Sequence, residues 1–329
     1  MRRVSTIDST WDALADKAGP PPERFDSRTL EGLPTPARRW LGRVLPEQTP
    51  LIDGVVITMT GQIRIGRWRP FTARQILRAG VGYVWKPVVG GHLLRFVGAD
   101  VLGPDEARMD FRLHGLVPVA RASGPETARS ATGRLAAETV AWIPQAATPQ
   151  AGAVWAAADD NRAIVTLDTA GRRNDVEVTV DAGGRLRALR LDRWNDSSKP
   201  PALEPFGGDL TSELVTETGV RVAGKGTIGW GYGTTAWDIG QFFRYQLDAV
   251  DPAPTQPWSP SSCPRAESRA RVDPVDPGQA PQPSSAAGAG PADRRSWWIN
   301  GLRAPWQRGP PDDGARAAAH GRALVAGDR

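Results

Sequence analysis

The sequence predicts a mainly β chain with helices (α+β), built as a strongly curved antiparallel sheet, a half-barrel, wrapped around one central helix over 124–142. Three observations lead there. Short runs on both sides of the chain's middle alternate apolar and polar residues, the period of a half-buried strand. One long stretch between them, 117–144, repeats its apolar residues at three- and four-residue steps instead. Near Asp251 both patterns stop. The chain divides accordingly into an N-terminal helix and linker (1–30), the curved sheet domain with its central helix (31–250) and a Pro/Ala/Arg/Gly-rich tail (251–329).

The elements follow in order. Residues 5–18 form a short helix, with Ser5 or Asp8 as cap and Trp11 and Leu14 inward, and the glycine and prolines at 19–22 stop it. A second helix occupies 35–45. Trp40, Leu41, Val44 and Leu45 make its apolar stripe, and Arg38, Arg39 and Arg43 face water. From Leu51 the period becomes two: Val55, Ile57 and Met59 alternate with Val56, Thr58 and Thr60, and Ile63 and Ile65 continue past Gly61. Further strands fall at 71–77, 82–89, 92–97, 108–113 and 117–120. The joins are short and rich in Gly, Pro and Asp, which favours antiparallel neighbours.

In the central helix Ser123 and Glu126 have the spacing of a capping box, and Pro125 occupies the first turn, where a missing N–H costs nothing. Ala128, Ala131, Leu135, Thr139 and Trp142 lie on one face, most of it small enough to sit close to a sheet. Ile143 precedes a proline and ends the helix. Strands resume at 153–157 and 163–168. Those at 175–181 and 185–193 flank Ala182-Gly183-Gly184, a hairpin signal, and the imperfect alternation of Leu186, Leu189 and Leu191 suggests a bulge. Strands at 209–217, 220–223, 227–230 and 237–247 complete the sheet. The tail holds 13 of the 30 prolines and neither Phe nor Tyr. Such a composition buries too little apolar surface to offset the entropy of ordering, so disorder is expected.

Bulk properties exclude several function classes. The formal charge is +5, yet both signs are mixed throughout, and of 41 basic residues only Lys17, Lys86, Lys199 and Lys225 are lysine. No basic run is interleaved with aromatics, which argues against nucleic acid. One cysteine, Cys263, excludes an internal disulfide and a thiolate metal cluster and fits a reducing compartment. Residues 1–20 carry Asp8, Asp12 and Asp16 rather than an apolar core, and no apolar run approaches the ~20 residues of a membrane helix. A cytoplasmic location with no membrane span is therefore expected. Gly224-Lys225-Gly226-Thr227-Ile228-Gly229 fits G-x-G-x-x-G, but no helix follows, so it reads as a glycine-rich turn between strands. His92 and His114 each stand beside glycine, the setting of turn residues, and no metal site or cofactor is expected.

Several segments also match a known pattern as a set: Met59-Thr60-Gly61-Gln62-Ile63-Arg64, Trp68-Arg69-Pro70-Phe71-Thr72-Ala73-Arg74-Gln75 and Gly82-Tyr83-Val84-Trp85, then Ala122-Ser123-Gly124-Pro125, Gly133-Arg134-Leu135-Ala136-Ala137-Glu138, Arg193-Trp194-Asn195-Asp196, Pro205-Phe206-Gly207 and Phe242-Phe243-Arg244. In this order they resemble an uncharacterised bacterial family catalogued as a domain of unknown function, over about residues 30–248. The resemblance implies no known activity. Its strand–helix–strand order is similar to the lipoprotein-carrier half-barrel, in which a curved sheet cups helices around an apolar cavity.

Eight tryptophans (Trp40, Trp68, Trp85, Trp142, Trp155, Trp194, Trp230 and Trp237) lie among the predicted elements. Most fill the core, yet their number suits a roomy apolar interior, and each buried indole N–H needs a partner. The first reading is thus a binding module for an apolar or amphipathic small molecule. Trp68, Trp85, Trp142 and Trp194 line it, Arg64 and Glu138 orient a head group, and Gln75 and Asp196 are polar partners. The loop 194–206 hangs over its mouth. Glu138 is also open to a blander reading, as a boundary ion pair with Arg134. The second reading is an enzyme in which Glu138 and Asp196 form an acid–base pair facing one cavity. The third is a protein-interaction module using an exposed sheet edge. Oligomeric state is left open.

Overall fold

The computed structural model describes residues 6–16, 22–104 and 106–253. Thirteen strands form one antiparallel sheet among these residues. Before the long helix come β1 (Gly54–Ile65), β2 (Arg67–Arg78), β3 (Gly82–Gly90), β4 (Arg95–Leu102), β5 (Ala107–Leu113) and β6 (Val117–Ser123). After it come β7 (Val154–Ala157), β8 (Arg162–Thr169), β9 (Arg172–Val180), β10 (Leu186–Asn195), β11 (Ala202–Val215), β12 (Arg221–Trp230) and β13 (Gln241–Pro252). The helices are α1 (Thr6–Ala15), α2 (Thr35–Val44), the long α3 (Pro125–Trp142) and the single turn α4 (Trp237–Gly240).

The sheet order is β6-β5-β4-β3-β2-β1-β13-β12-β11-β10-β9-β8-β7. The chain's first and last strands pair in the middle, and a meander runs outward from each. The sheet is curved and does not close, so β6 and β7 are its two edges. They are also the strands that α3 connects. Eighteen residues of helix, about 27 Å at 1.5 Å per residue, cross the concave face and pack chiefly on β8, β9 and β10.

The two faces of the sheet have separate cores. On the concave side Val55, Ile57, Met59 and Ile63 of β1 join Leu77, Trp85, Leu135, Val140 and the buried stripe of α2. On the convex side Trp11, Leu14 and Ala15 of α1 cover Val56, Ile76, Val84, Ala99 and Val101. With both faces covered, the start of β1 is buried continuously rather than alternately. Arg78 ties α1 down: its Nε donates to the Leu14 carbonyl at 2.6 Å and its Nη1 to Asp53 at 2.5 Å.

Several expectations are corrected. The Ser123–Glu126 capping box does not form: Gly124 is the N-cap with φ 101° and no side-chain cap, while Ser123 ends β6 and Glu126 accepts from Trp194. Arg39 and Arg43 do not simply face water. Arg39 donates to the Val180 carbonyl at 3.0 Å, and Arg43 pairs with Glu213 at 2.8 Å, fastening α2 to the sheet. The stretch 194–206 is not a long loop but a hairpin, with only 196–201 between β10 and β11. Residues 221–223 and 227–230 belong to one strand, β12, which Val220 precedes, and residues 237–240 turn helically before β13. The glycine-rich 224–229 is therefore mid-strand, with no phosphate-cradling loop. A Cβ on Gly226 would stand 2.7 Å from the Tyr245 ring, so glycine there permits close packing. The bulge in β10 is present between Leu186 and Ala188.

β13 pairs with β1 as far as Pro252, opposite Val55, so the sheet takes in the first two residues, 251 and 252, of the compositionally distinct stretch. The expected disorder of the tail, and Cys263 within it, concern residues outside those described, save 251–253. Deleting 254–329 is expected to leave the melting temperature within a few degrees of the full chain by differential scanning calorimetry. A larger drop would show that the tail packs on the domain.

Candidate functional site

Between α3 and the concave face lies a cavity of about 200 Å³. The helix presents Arg134, Ala137, Glu138, Ala141 and Trp142 to it, residues at i, i+3, i+4, i+7 and i+8, which form one face. Of the stripe expected from sequence, only Trp142 belongs to this face. Ala131, Leu135 and Thr139 are buried with α3 seated on β8–β10, and the neighbouring face lines the cavity. Across from it the strands contribute Ile63, Trp85, Phe111, Leu189, Phe243 and Tyr245 among others. Edge-to-face contacts fix these rings: Trp85 with Phe243 at 5.9 Å and Trp142 with Tyr245 at 5.4 Å between centroids.

The polar part of the wall centres on Arg134. Its Nε donates to Glu138 at 2.6 Å, its Nη1 to Asp100 at 2.7 Å and its Nη2 to Gln75 at 3.3 Å. Gln75, fully buried on β2, donates in turn to Glu138 at 2.6 Å. Tyr83 donates to Asp100 at 3.4 Å, and its ring lies 4.3 Å from the Arg134 guanidinium. Burial, reinforced by the Asp100 charge, pushes the Tyr83 phenol well above its ordinary range, and the surrounding carboxylates hold Arg134 firmly protonated against its own burial. One network thus ties α3 to β2, β3 and β4.

A second arginine, Arg193 of β10, lines the same cavity. Its guanidinium sits 4.6 Å from the Phe206 ring and 5.2 Å from that of Trp230, and it donates to the Ser130 carbonyl at 2.9 Å and to the Ser130 hydroxyl at 3.3 Å. Gly133 makes room for it: a Cβ there would stand 3.0 Å from the Arg193 Cγ.

The eight residues expected from sequence are distributed as follows. Trp85, Glu138 and Trp142 line the cavity, and Gln75 stands behind Glu138. Arg64 and Trp68 do not line it. They pair across β1 and β2, and the alternation that turns Ile63 and Ile65 inward turns Arg64 outward, where it donates to the Ile239 carbonyl at 3.1 Å. Trp68 stacks under Arg244 at 4.2 Å. Trp194 and Asp196 lie at the start of α3 instead. The Trp194 indole donates to Glu126 at 2.5 Å beneath Arg129, and Asp196 accepts from Thr127 at 3.4 Å. Thr127 and Glu138 are eleven residues apart on one helix, about 16 Å, so Glu138 and Asp196 do not form a pair across one cavity. Sequence reasoning missed Asp100, Arg134 as a network centre, and Arg193. The parity of Leu189 and Leu191 with Arg193 was the available signal. Among the described residues no group of three His, Cys, Asp or Glu is placed to hold a metal ion, and no helix is long and apolar enough to cross a membrane.

Two consequences are measurable. Removing a charged partner from a largely buried network strands the others, at about 3–5 kcal/mol. Arg134→Met is expected to lose that much in urea denaturation, and adding Asp100→Asn and Glu138→Gln to restore most of it. Equal destabilisation of the single and triple variants would contradict the network's role. For Asp196, burial raises the carboxyl above its ordinary value of 3.8, against the pull of Arg193 and the Thr127 hydrogen bond. A folded value above the unfolded one stabilises the fold at low pH, and that contribution is lost as pH rises through the folded value. Asp196→Asn should therefore raise the melting temperature at pH 7 and do little at pH 3. A variant less stable than the natural chain at pH 7 would refute this.

Comparison with known proteins adds the following. No curated protein matches the chain. Among solved structures, a LolA superfamily protein from Nitrosomonas europaea aligns at 8% identity, covering 66% of this chain and 91% of its own, with a TM-score of 0.37. A domain from Vibrio parahaemolyticus described as a putative outer membrane lipoprotein-sorting protein aligns at 10% identity, covering 60% of this chain and 85% of its own, with a TM-score of 0.34. A DUF1329 family protein from Desulfovibrio piger aligns at 9% identity over 60% and 85%, with a TM-score of 0.33. Likenesses at these scores carry no inference about ligand. The model of a family of unknown function matches residues 23–242, and the chain belongs to that family, DUF6544.

Proposed function

We propose that this protein binds an apolar or amphipathic small molecule in the space between α3 and the concave face of its sheet. The observation that carries this reading is the cavity's wall: aromatic and aliphatic side chains on most sides, with Arg134, Glu138, Asp100 and Arg193 as its charged groups. Sites of this make-up, largely apolar with a few placed polar groups, are those that hold small molecules. The helix face supports the same reading, because Ala137 and Ala141 leave open a volume that larger residues at those positions would fill.

An acid–base mechanism using Glu138 and Asp196 is not favoured, since Asp196 lies outside the cavity wall and both Glu138 oxygens already accept hydrogen bonds. Native mass spectrometry of freshly purified protein is expected to show a co-purified small molecule. Ala137→Trp should place an indole in the cavity, abolish that adduct and leave the circular dichroism spectrum unchanged. An adduct retained at full occupancy in a folded Ala137→Trp chain would place the ligand elsewhere and overturn the reading.

A further inference from the structure

The cavity contains two arginines in opposite electrostatic situations. Arg134 is saturated: Asp100 and Glu138 both bond it directly, at 2.7 and 2.6 Å. Arg193 has no carboxylate within 4.0 Å among the described residues, and its hydrogen bonds go to Ser130 alone. The four charges sum to zero, but both carboxylates lie on the Arg134 side. Arg193 is left against aromatic rings, Phe206 and Trp230. Cation–π contact repays part of the missing hydration and supplies no counter-charge.

A guanidinium held in apolar surroundings without a counter-ion is costly, and an anion brought to it relieves that cost. Burial accordingly pulls Arg193 below the ordinary arginine range, even with attraction from Asp100 and Asp196 nearby. Neither of those carboxylates is free to approach. Asp100 is bonded by Arg134 and Tyr83, and Asp196 is bonded by Thr127. A second donor on the same wall is also unsatisfied: the Trp85 indole N–H is buried with no acceptor. The cavity therefore offers donors in excess of acceptors, beside an apolar volume.

We propose that Arg193 anchors the anionic head group of the cavity's ligand, which makes that ligand an anionic amphiphile with its tail among the aromatic and aliphatic side chains. This rests on the binding reading above and adds the ligand's charge and the residue that recognises it. Ser130 fixes the guanidinium from the α3 side through its carbonyl and hydroxyl, leaving the remaining N–H donors for a head group.

The test is isothermal titration calorimetry of the full chain with three probes of equal tail length: sodium laurate, 1-dodecanol and dodecyltrimethylammonium. Laurate is expected to bind at least tenfold more tightly than dodecanol, and the cationic probe most weakly. Arg193→Gln removes the charge-assisted hydrogen bond to the head group, so it should weaken laurate about ten- to a hundredfold and leave dodecanol within about threefold. Arg193→Lys, which keeps the charge without the planar fork, should fall between. The natural chain alone keeps the test decisive if a variant fails to fold. Equal affinity for laurate and dodecanol, or a preference for the cationic probe, would overturn the anchor and leave the binding reading standing. Binding of none of the three would overturn both.

Discussion

Arg134 carries a guanidinium into the space between α3 and the concave face and meets two carboxylates, an amide and two aromatic rings there. Asp100 comes from β4, Gln75 from β2, Tyr83 and Trp85 from β3 and Glu138 from one turn further along the helix. Apart from the i,i+4 pair of Arg134 and Glu138, nothing local in the sequence joins these residues. They meet only when the first meander is in register and α3 lies across it at one depth and rotation. A one-residue slip of β2 would turn Gln75 to the convex face, and a quarter-turn of the helix would remove Glu138. The network is therefore a condition on the whole arrangement. Its geometry suits arginine and not lysine, because one planar fork reaches Glu138, Asp100 and Gln75 at once.

The topology makes that helix position consequential. The central pair β1–β13 places both sheet edges far apart, and the connection between β6 and β7 has to cross the concave side. A helix crossing a curved sheet cannot touch it evenly. It packs where Gly133 and Thr132 approach β10 and β8, with the Thr169 hydroxyl donating to the Thr132 carbonyl at 3.2 Å. Where the sheet curves away, Ala137 and Ala141 do not reach across, and space remains. The cavity is thus a consequence of helix seating plus small side chains on one face.

The architecture was legible because its signals are local. Period-two runs, the hairpin at 182–184, the bulge after Leu186 and the lone long helix all depend on neighbours in sequence, and the strands and α3 lie close to where those signals put them. The site was legible in part. Trp85, Glu138 and Trp142, marked in the sequence as aromatic residues or as the edge of an apolar stripe, line the cavity. Arg64 and Trp68 do not line it: the parity of Ile63 and Ile65 already turned Arg64 outward, while the side Trp68 takes follows only from its register opposite Arg64. Asp100 and Arg193 were missed for a different reason: their significance depends on contacts with α3 residues 34 and 63 positions away in the chain.

The contrast between the two cavity arginines bears on what the site can do. A catalytic carboxylate has to exchange a proton with a substrate, and Glu138 would first have to surrender bonds to Arg134 and Gln75 that hold α3 in place. Catalysis there would work against the fold. Arg193 is under no such obligation. Its bonds to Ser130 orient it without neutralising it, and its rings hold the guanidinium plane without competing for an anion. A group that is fixed, charged and without a counter-ion gains most from a partner supplied by a ligand. On the proposed reading, structure maintenance and ligand recognition are in this way divided between two arginines of one cavity, one saturated and one not.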